Sequence, residues 1–241
     1  LKGFDLADFW DALTNTFLLQ GALVTAGLAA AGLVGGLVFG LLLALLRAAK
    51  NPLINRVARL YVWFFRGTPL LIQLVMIYSG LPQIGIRMGV LTSVIVALVL
   101  NEAAYMAEIL RSGFLAVPPG QQDAAKALGL SRVQTMRTVL LPQVVRIILP
   151  ALGNSVNGLL KATSITSVIS MEELMRRSEM TMQVKFDVLE VFAAAAVDYL
   201  VLTTLWDQVQ GWLERRMNRG HADQADAARR ALKELAQAKQ V

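Results

Sequence analysis

The chain contains no cysteine, which excludes disulfides and thiolate chemistry and leaves the redox compartment open. Its one histidine, His221, lies in a polar stretch with no partner pattern for a metal cluster or a catalytic triad. No Gly-x-x-x-x-Gly-Lys-Ser/Thr phosphate loop occurs. The chain therefore offers no phosphate-binding loop of its own for a nucleoside triphosphate. The formal net charge of +6 sits in short basic runs between apolar segments, so a bilayer rather than a nucleic acid is the expected partner.

Apolar residues are what the chain has in excess. They make up 56% of its 241 residues, gathered into long segments, as expected of an all-α integral membrane bundle rather than a soluble domain. From Phe17 to Leu46 thirty residues pass without a charge, more than the roughly 20 that cross the hydrocarbon. This run is far longer than a signal-peptide core, so no cleavable leader is expected. Gly32, Gly36 and Gly40 recur every fourth residue within it and predict a close-packing helix face. Residues 1–16 precede the span as an outer-face leader, in which Phe9, Trp10, Leu13 and Phe17 share a helical face suited to a membrane surface.

Arg47 to Arg66 holds five basic residues and no acidic one, which marks a cytoplasmic loop. Tyr61, Trp63, Phe64 and Phe65 fit an interfacial aromatic belt. Gly67 and Pro69 should bend or interrupt the second span, which ends near Gly80-Leu81-Pro82. Gln73 within it is a buried polar group that needs a partner. A third span is expected from about Val90 to Phe114, a fourth from about Arg146 to Thr166, and a fifth from about Val188 to Trp206. Met171 to Asp187 reads as an outer loop or surface helix. Five spans with basic first and third loops and a basic exit at Arg215, Arg216 and Arg219 place the N-terminus outside and the C-terminus in the cytoplasm. Residues 217–241 form a polar tail in which Ala225, Ala228, Leu232 and Leu235 have a/d spacing.

Polar residues inside spans are expensive and by default face a cavity or the bundle interior. On the third span Asn101, Tyr105, Glu108 and Ser112 share a face, and Glu102 points about 100° away. On the fourth, Asn154, Asn157, Lys161 and Ser164 share a face. The two stripes suggest a pair of helices facing each other across a wet interior, lining a solute path. Interhelical hydrogen bonding that only holds the bundle together explains the same polarity. Asp198 adds one acid to the fifth span.

Between the third and fourth spans, at about 118–142, lies the most informative stretch. Pro118 and Pro119 end the preceding helix, a short helix is predicted over Gln121–Leu128, and Gly129 stands where a left-handed cap belongs. Ser131 and Gln134 have capping-box spacing, so a second helix is expected to start there at once. Ala124 and Ala125 make the short helix slim enough for another surface to approach closely. Asp123-Ala124-Ala125, then Gly129, then Val139-Leu140-Leu141-Pro142 resembles the EAA loop of ABC-importer permeases, with Asp for the usual Glu and Val for the usual Ile. Asn101-Glu102-Ala103-Ala104-Tyr105-Met106-Ala107-Glu108, Phe65-Arg66-Gly67-Thr68-Pro69 and Leu160-Lys161-Ala162-Thr163-Ser164 resemble the branch that takes up polar amino acids. The likeness covers about residues 17–216.

What this resemblance implies is a multi-pass permease subunit of the bacterial inner membrane, itself without catalysis or a bound cofactor. ATP and Mg would be held by two partner ATPase subunits. A second permease subunit, identical or related, would complete the pathway, and a soluble binding protein outside would deliver an amino acid. Gln121, Asp123, Ala124, Ala125, Leu128, Gly129 and Pro142 are then the expected ATPase-coupling residues. Asn101, Tyr105, Glu108, Asn154, Asn157, Lys161, Ser164 and Asp198 are the candidate path. Asp198 replaces an apolar residue of the family pattern and is read as a substrate contact or as the partner of a buried cation such as Lys161. A permease for another small solute, such as an organic acid or osmolyte, fits nearly as well. From a different class, an ion-coupled carrier or channel would use Glu102, Glu108 and Asp198 as a relay.

Overall fold

The computed structural model describes residues 3–238, with side chains through Met217. Every regular element among them is a helix: α1 Leu6–Leu13, α2 Thr16–Arg47, α3 Pro52–Gly67, α4 Leu70–Ile84, α5 Val90–Ala116, α6 Gly120–Ala127, α7 Arg132–Ile169, α8 Leu174–Lys185 and α9 Val188–Ala238. α2, α5, α7 and the Val188–Met217 part of α9 are long and apolar enough to cross a bilayer, and the bent pair α3–α4 reaches that length and hydropathy only when its two helices are taken together. The spacing of Ala225, Ala228, Leu232 and Leu235, together with Arg219 and His221, concerns side chains outside the described residues.

Local chemistry sets the helix starts. Asp5 Oδ1 accepts from Ala7 N at 2.8 Å and Asn15 Oδ1 from Phe17 N at 2.8 Å, so α1 and α2 are capped in turn. Asn51 caps α3 through Leu53 N at 2.9 Å, with Pro52 in the first turn. The basic stretch 47–66, expected as a loop, is therefore largely helical. Leu53, Val57, Leu60 and Phe64 recur at helical spacing on its bare side, while Ala58 and Val62 are buried. Charge density pointed to a loop; apolar periodicity on the same residues makes it an amphipathic helix.

At Gly67–Pro69 the chain turns by 106° between α3 and α4, where proline removes a donor from the ladder. The helix start marked by Ser131 is present, and this helix runs without interruption from Arg132 into the fourth span, which was expected only from about Arg146. Pro142 does not stop it because a π-turn over Thr135–Leu140 precedes the proline and absorbs the irregular hydrogen bonding.

The glycine stripe makes the most extensive helix contact in the molecule, α2 against α5. A methyl at Gly36 would come within 2.6 Å of Glu102 Cγ, and one at Gly32 within 3.1 Å of Leu159. Larger side chains there would force the spans apart. Leu28, Leu74, Val94, Leu98, Val156 and Leu159 form the central core that joins α2, α4, α5 and α7. A second cluster, Ala12, Leu18, Leu174, Val191 and Ala194, fastens α1 and α8 across the other ends of α2 and α9.

A buried acid completes that second junction. Glu173 is 0% exposed and accepts from Thr25 Oγ1 at 3.2 Å, Tyr199 OH at 3.0 Å, Met175 N at 3.0 Å and Arg176 N at 2.9 Å. Burial pushes its carboxyl above the usual range, and these donors pull the other way. One residue thus caps α8 and ties it to two spans. Lys185, at the other end of α8, pairs with Asp11 of α1.

Candidate functional site

Two regions carry the polar chemistry, a protruding turn between α5 and α7 and a pair of clefts beside α5. The turn begins where Val117 leaves α5 in extended conformation. At its far side Gly129 has φ +75°, a conformation that a side chain with a branched β-carbon resists. Leu128 N bonds to Ala124 O at 3.1 Å, Gly129 N to Lys126 O at 2.9 Å and Leu130 N to Ala125 O at 3.0 Å, which closes the end of α6. Both halves of the capping box form: Ser131 N donates to Gln134 Oε1 at 2.8 Å and Gln134 N to Ser131 Oγ at 3.3 Å.

The two small residues of α6 face different ways. Ala124 is exposed, whereas Ala125 is 2% exposed, on a helix packed against the Thr135–Leu140 turn. Its smallness therefore serves packing within the chain. Leu128 is the outlier, 78% exposed at the tip of a polar turn. Val133 and Met136, farther along the same turn, are exposed as well. Gln121 accepts from Gln143 Nε2 at 3.2 Å, and Asp123 pairs with Lys126 at 3.1 Å, an exposed pair of little energetic weight. Beneath the turn Val117, Leu140, Val144 and Ile148 lock the end of α5 to the start of α7.

The first cleft, about 400 Å³, opens where the α3–α4 break meets α5 and α7; Thr68, Pro69, Asn101, Glu102, Tyr105 and Ser155 are among its lining residues. The break is held by Gln73, which is 4% exposed. Its Nε2 donates to Phe65 O at 3.0 Å, Thr68 O at 3.1 Å and Thr68 Oγ1 at 2.8 Å. Its Oε1 accepts from Asn101 Nδ2 at 3.0 Å. The carbonyls that the break would orphan thus find donors. Glu102 is buried and accepts a hydrogen bond from Ser155 Oγ of α7.

The second cleft, about 500 Å³, lies at the Arg47 end of α2 and shares Tyr105 with the first. Glu108 is its hub, paired with Arg47 at 2.6 Å and with Arg66 at 3.8 Å, and receiving Arg111 Nε at 3.0 Å.

Of the candidate path residues, Asn101 and Tyr105 line the first cleft, and Tyr105 and Glu108 the second. The stripe on α7 lines neither. Asn154 and Lys161 are exposed on the outside of the chain, Ser164 bonds back to Lys161 O at 2.7 Å, and Asn157 donates to Asp207 Oδ1 of α9 at 2.6 Å. The stripes on α5 and α7 therefore do not face each other. The helices meet instead through Glu102 and Ser155, which lie off both stripes. Asp198 is buried with its Oδ2 unpartnered, and no ion pair joins it to exposed Lys161 among the described residues. The Arg47–Glu108 and Glu102–Ser155 pairs escape sequence reasoning, because their members come from separate spans.

Residues 36–219 match the family model described as "Binding-protein-dependent transport system inner membrane component". The chain belongs to this family. The glutamine transport system permease protein GlnP of Escherichia coli K12 is 38% identical over 216 residues, covering 89% of this chain and 98% of that one. A probable amino-acid permease protein of Bacillus subtilis, YxeN, is 36% identical over 215 residues, with 87% and 96% covered. Among solved structures, an amino acid ABC transporter crystallised with histidines superposes with TM-score 0.83 at 35% identity, covering 89% of this chain and 100% of that one. The MetNI methionine transporter shares the fold at TM-score 0.63 and 24% identity, covering 83% and 93%. This binding-protein-dependent component is thus a multi-pass inner-membrane permease subunit without catalysis of its own. ATP is hydrolysed on a separate subunit, and a substrate-binding protein is its further partner.

Proposed function

We propose that this permease carries amino acids, paired with a second permease subunit and driven through the α6 turn by ATPase subunits that hold ATP and Mg. The observation that carries the reading is the continuity of α6 with the cleft. α5 and α7 flank the turn on either side and are locked together beneath it, and the same two helices supply Asn101, Tyr105 and Ser155 to the first cleft. A displacement of α6 therefore moves two walls of the cleft as rigid bodies. A volume of about 400 Å³ suits a solute of amino-acid size.

The names of the relatives support amino acids as the solute class. The coupling surface is exposed Leu128, with Ala124, Gln121 and Asp123 around it and Gly129, Ala125 and Pro142 shaping its support. Asn154 and Lys161 face outward beside the cleft, where a second permease subunit completes the path. The Arg47 end of α2, the α6 turn and the end of α9 lie in the cytoplasm, and α1 and α8 lie outside, following the basic residues.

Reconstitution with its ATPase and binding protein in liposomes tests the proposal. ATP inside the assay compartment of the ATPase should drive uptake of a radiolabelled amino acid, with no response to an ion gradient alone. Uptake of an organic acid or osmolyte in place of every amino acid would reassign the solute. Gradient-driven uptake without ATP would overturn the importer mechanism.

A further inference from the structure

We propose that the arginine-lined cleft at the Arg47 end of α2 binds a phosphate-type anion, the headgroup of an anionic phospholipid. Three guanidinium groups, from Arg47, Arg59 and Arg66, share this space of about 500 Å³ with a single carboxylate, Glu108. That carboxylate is already engaged by Arg47 at 2.6 Å and by Arg111 Nε at 3.0 Å. Arg66 reaches it only at 3.8 Å and lies over the Tyr105 ring, 5.5 Å from its centre. Arg59 makes no ion pair among the described residues.

Positive charge is therefore left over around a void large enough for a headgroup. Like charges held together at a membrane boundary repel, and an oxyanion between them relieves the repulsion. Guanidinium groups offer paired donors that match phosphate oxygens.

The surroundings favour a lipid as the source. Trp63, on the rim, is 71% exposed, and Leu60 and Phe64 beside it are exposed as well. With Leu53 and Val57 they form a bare apolar strip along α3 on which acyl chains can lie while the headgroup turns into the cleft. Basic pockets between membrane helices on the cytoplasmic side hold anionic headgroups through this combination. The site is separate from the proposed solute cleft, apart from the shared Tyr105 wall. Only the leaflet that supplies the lipid depends on the orientation proposed above.

The test uses the delipidated permease complex and two probes, phosphatidylglycerol and phosphatidylcholine, titrated by native mass spectrometry. Arg59→Gln is the main variant, because Arg59 supports no internal ion pair. The wild type should retain phosphatidylglycerol over phosphatidylcholine, and R59Q should bind it roughly fivefold more weakly, the contribution of about one charge near a membrane surface. Adding Arg66→Gln should weaken it further, and Arg59→Lys should recover part of the loss. Thermal unfolding with glycerol 3-phosphate in phosphatidylcholine distinguishes the sources. Protection there that R59Q abolishes supports the anion site and assigns it to a soluble ligand, overturning the headgroup. Equal retention of phosphatidylglycerol by the wild type, R59Q and the double variant overturns the site altogether.

Discussion

The side-chain amide of Asn101 donates to Gln73 Oε1 at 3.0 Å, joining α5 to the residue that closes the break between α3 and α4. Asn101 also reaches Phe65 O at 3.3 Å. A residue read from sequence as a path contact therefore also positions the wall of the cleft. Its effect on transport should act through the shape of the 65–69 turn.

Gln73→Ala would take the donor from Thr68 O and the acceptor from Asn101, leaving the break tied to α5 only by the longer Asn101–Phe65 O bond at 3.3 Å. We expect a loss of about 1–3 kcal/mol in stability, read as a lowered unfolding midpoint of the purified complex. Because the two side chains share one network, Asn101→Ala should add much less in the Gln73→Ala background than alone. Strict additivity of the two changes would show that they act independently.

At the opposite junction, Glu173 organises four donors. Glu173→Ala should cost about 2 kcal/mol or more, since several buried donors lose their acceptor at once. Glu173→Gln keeps the shape and one acceptor oxygen but sets its amide against a donor, so an intermediate loss is expected. Hydrogen exchange localises the effect, with faster exchange expected in Leu174–Lys185 than in α5. Unchanged exchange of α8 in both variants would remove Glu173 from its fastening role.

Gly129 needs a left-handed backbone, and nothing lies within 4 Å of where a Cβ would stand. Strain rather than collision should therefore decide substitutions. Gly129→Val should cost roughly 1–2 kcal/mol locally and reduce ATPase co-purification, while Gly129→Asn, which tolerates this conformation, should retain it. Ala125→Glu should disturb the turn itself, because Ala125 is buried within the chain. Equal ATPase recovery for the valine and asparagine variants would mean that this backbone conformation does not matter for docking.

The proposed orientation is open to labelling, because the natural chain has no competing cysteine. Lys50→Cys should react with an impermeant maleimide only after the membrane is opened, and Val184→Cys should react in intact cells. The reverse pattern would invert the assignment of sides.

Much of this was legible from sequence wherever the signal is local. The bend at Gly67–Pro69, the left-handed Gly129 and the Ser131–Gln134 box each depend on residues within one turn of each other, the uncharged run before Arg47 on one contiguous stretch, and each appears where the sequence predicts. Charge misled at α3, where five basic residues outweighed the apolar period of Leu53, Val57, Leu60 and Phe64. The capping box at Ser131 marks the start of α7, and what sequence did not show is that this helix runs on through Pro142 into the fourth span. The cleft was only half legible. Helical periodicity groups Asn154, Asn157 and Lys161 correctly on one side of α7, yet it carries no information on what that side meets. The partner of Asn157 is Asp207, on a different helix, and the contact of α7 with α5 runs through Ser155 instead. Such pairings follow from the packing angles of spans distant in sequence, which no single helix encodes.

The account turns on whether the ATPase grips this chain at the α6 tip. Leu128→Asp places a charge on a side chain that is 78% exposed, so the fold should be untouched. Val184→Asp, equally bare at the opposite end of the molecule, is the matched control. The decisive measurement is ATPase co-purification together with ATP-driven amino acid uptake for both variants. The account predicts that Leu128→Asp loses both at an unchanged unfolding midpoint while Val184→Asp keeps its ATPase. Full ATPase recovery and full uptake by Leu128→Asp would contradict it.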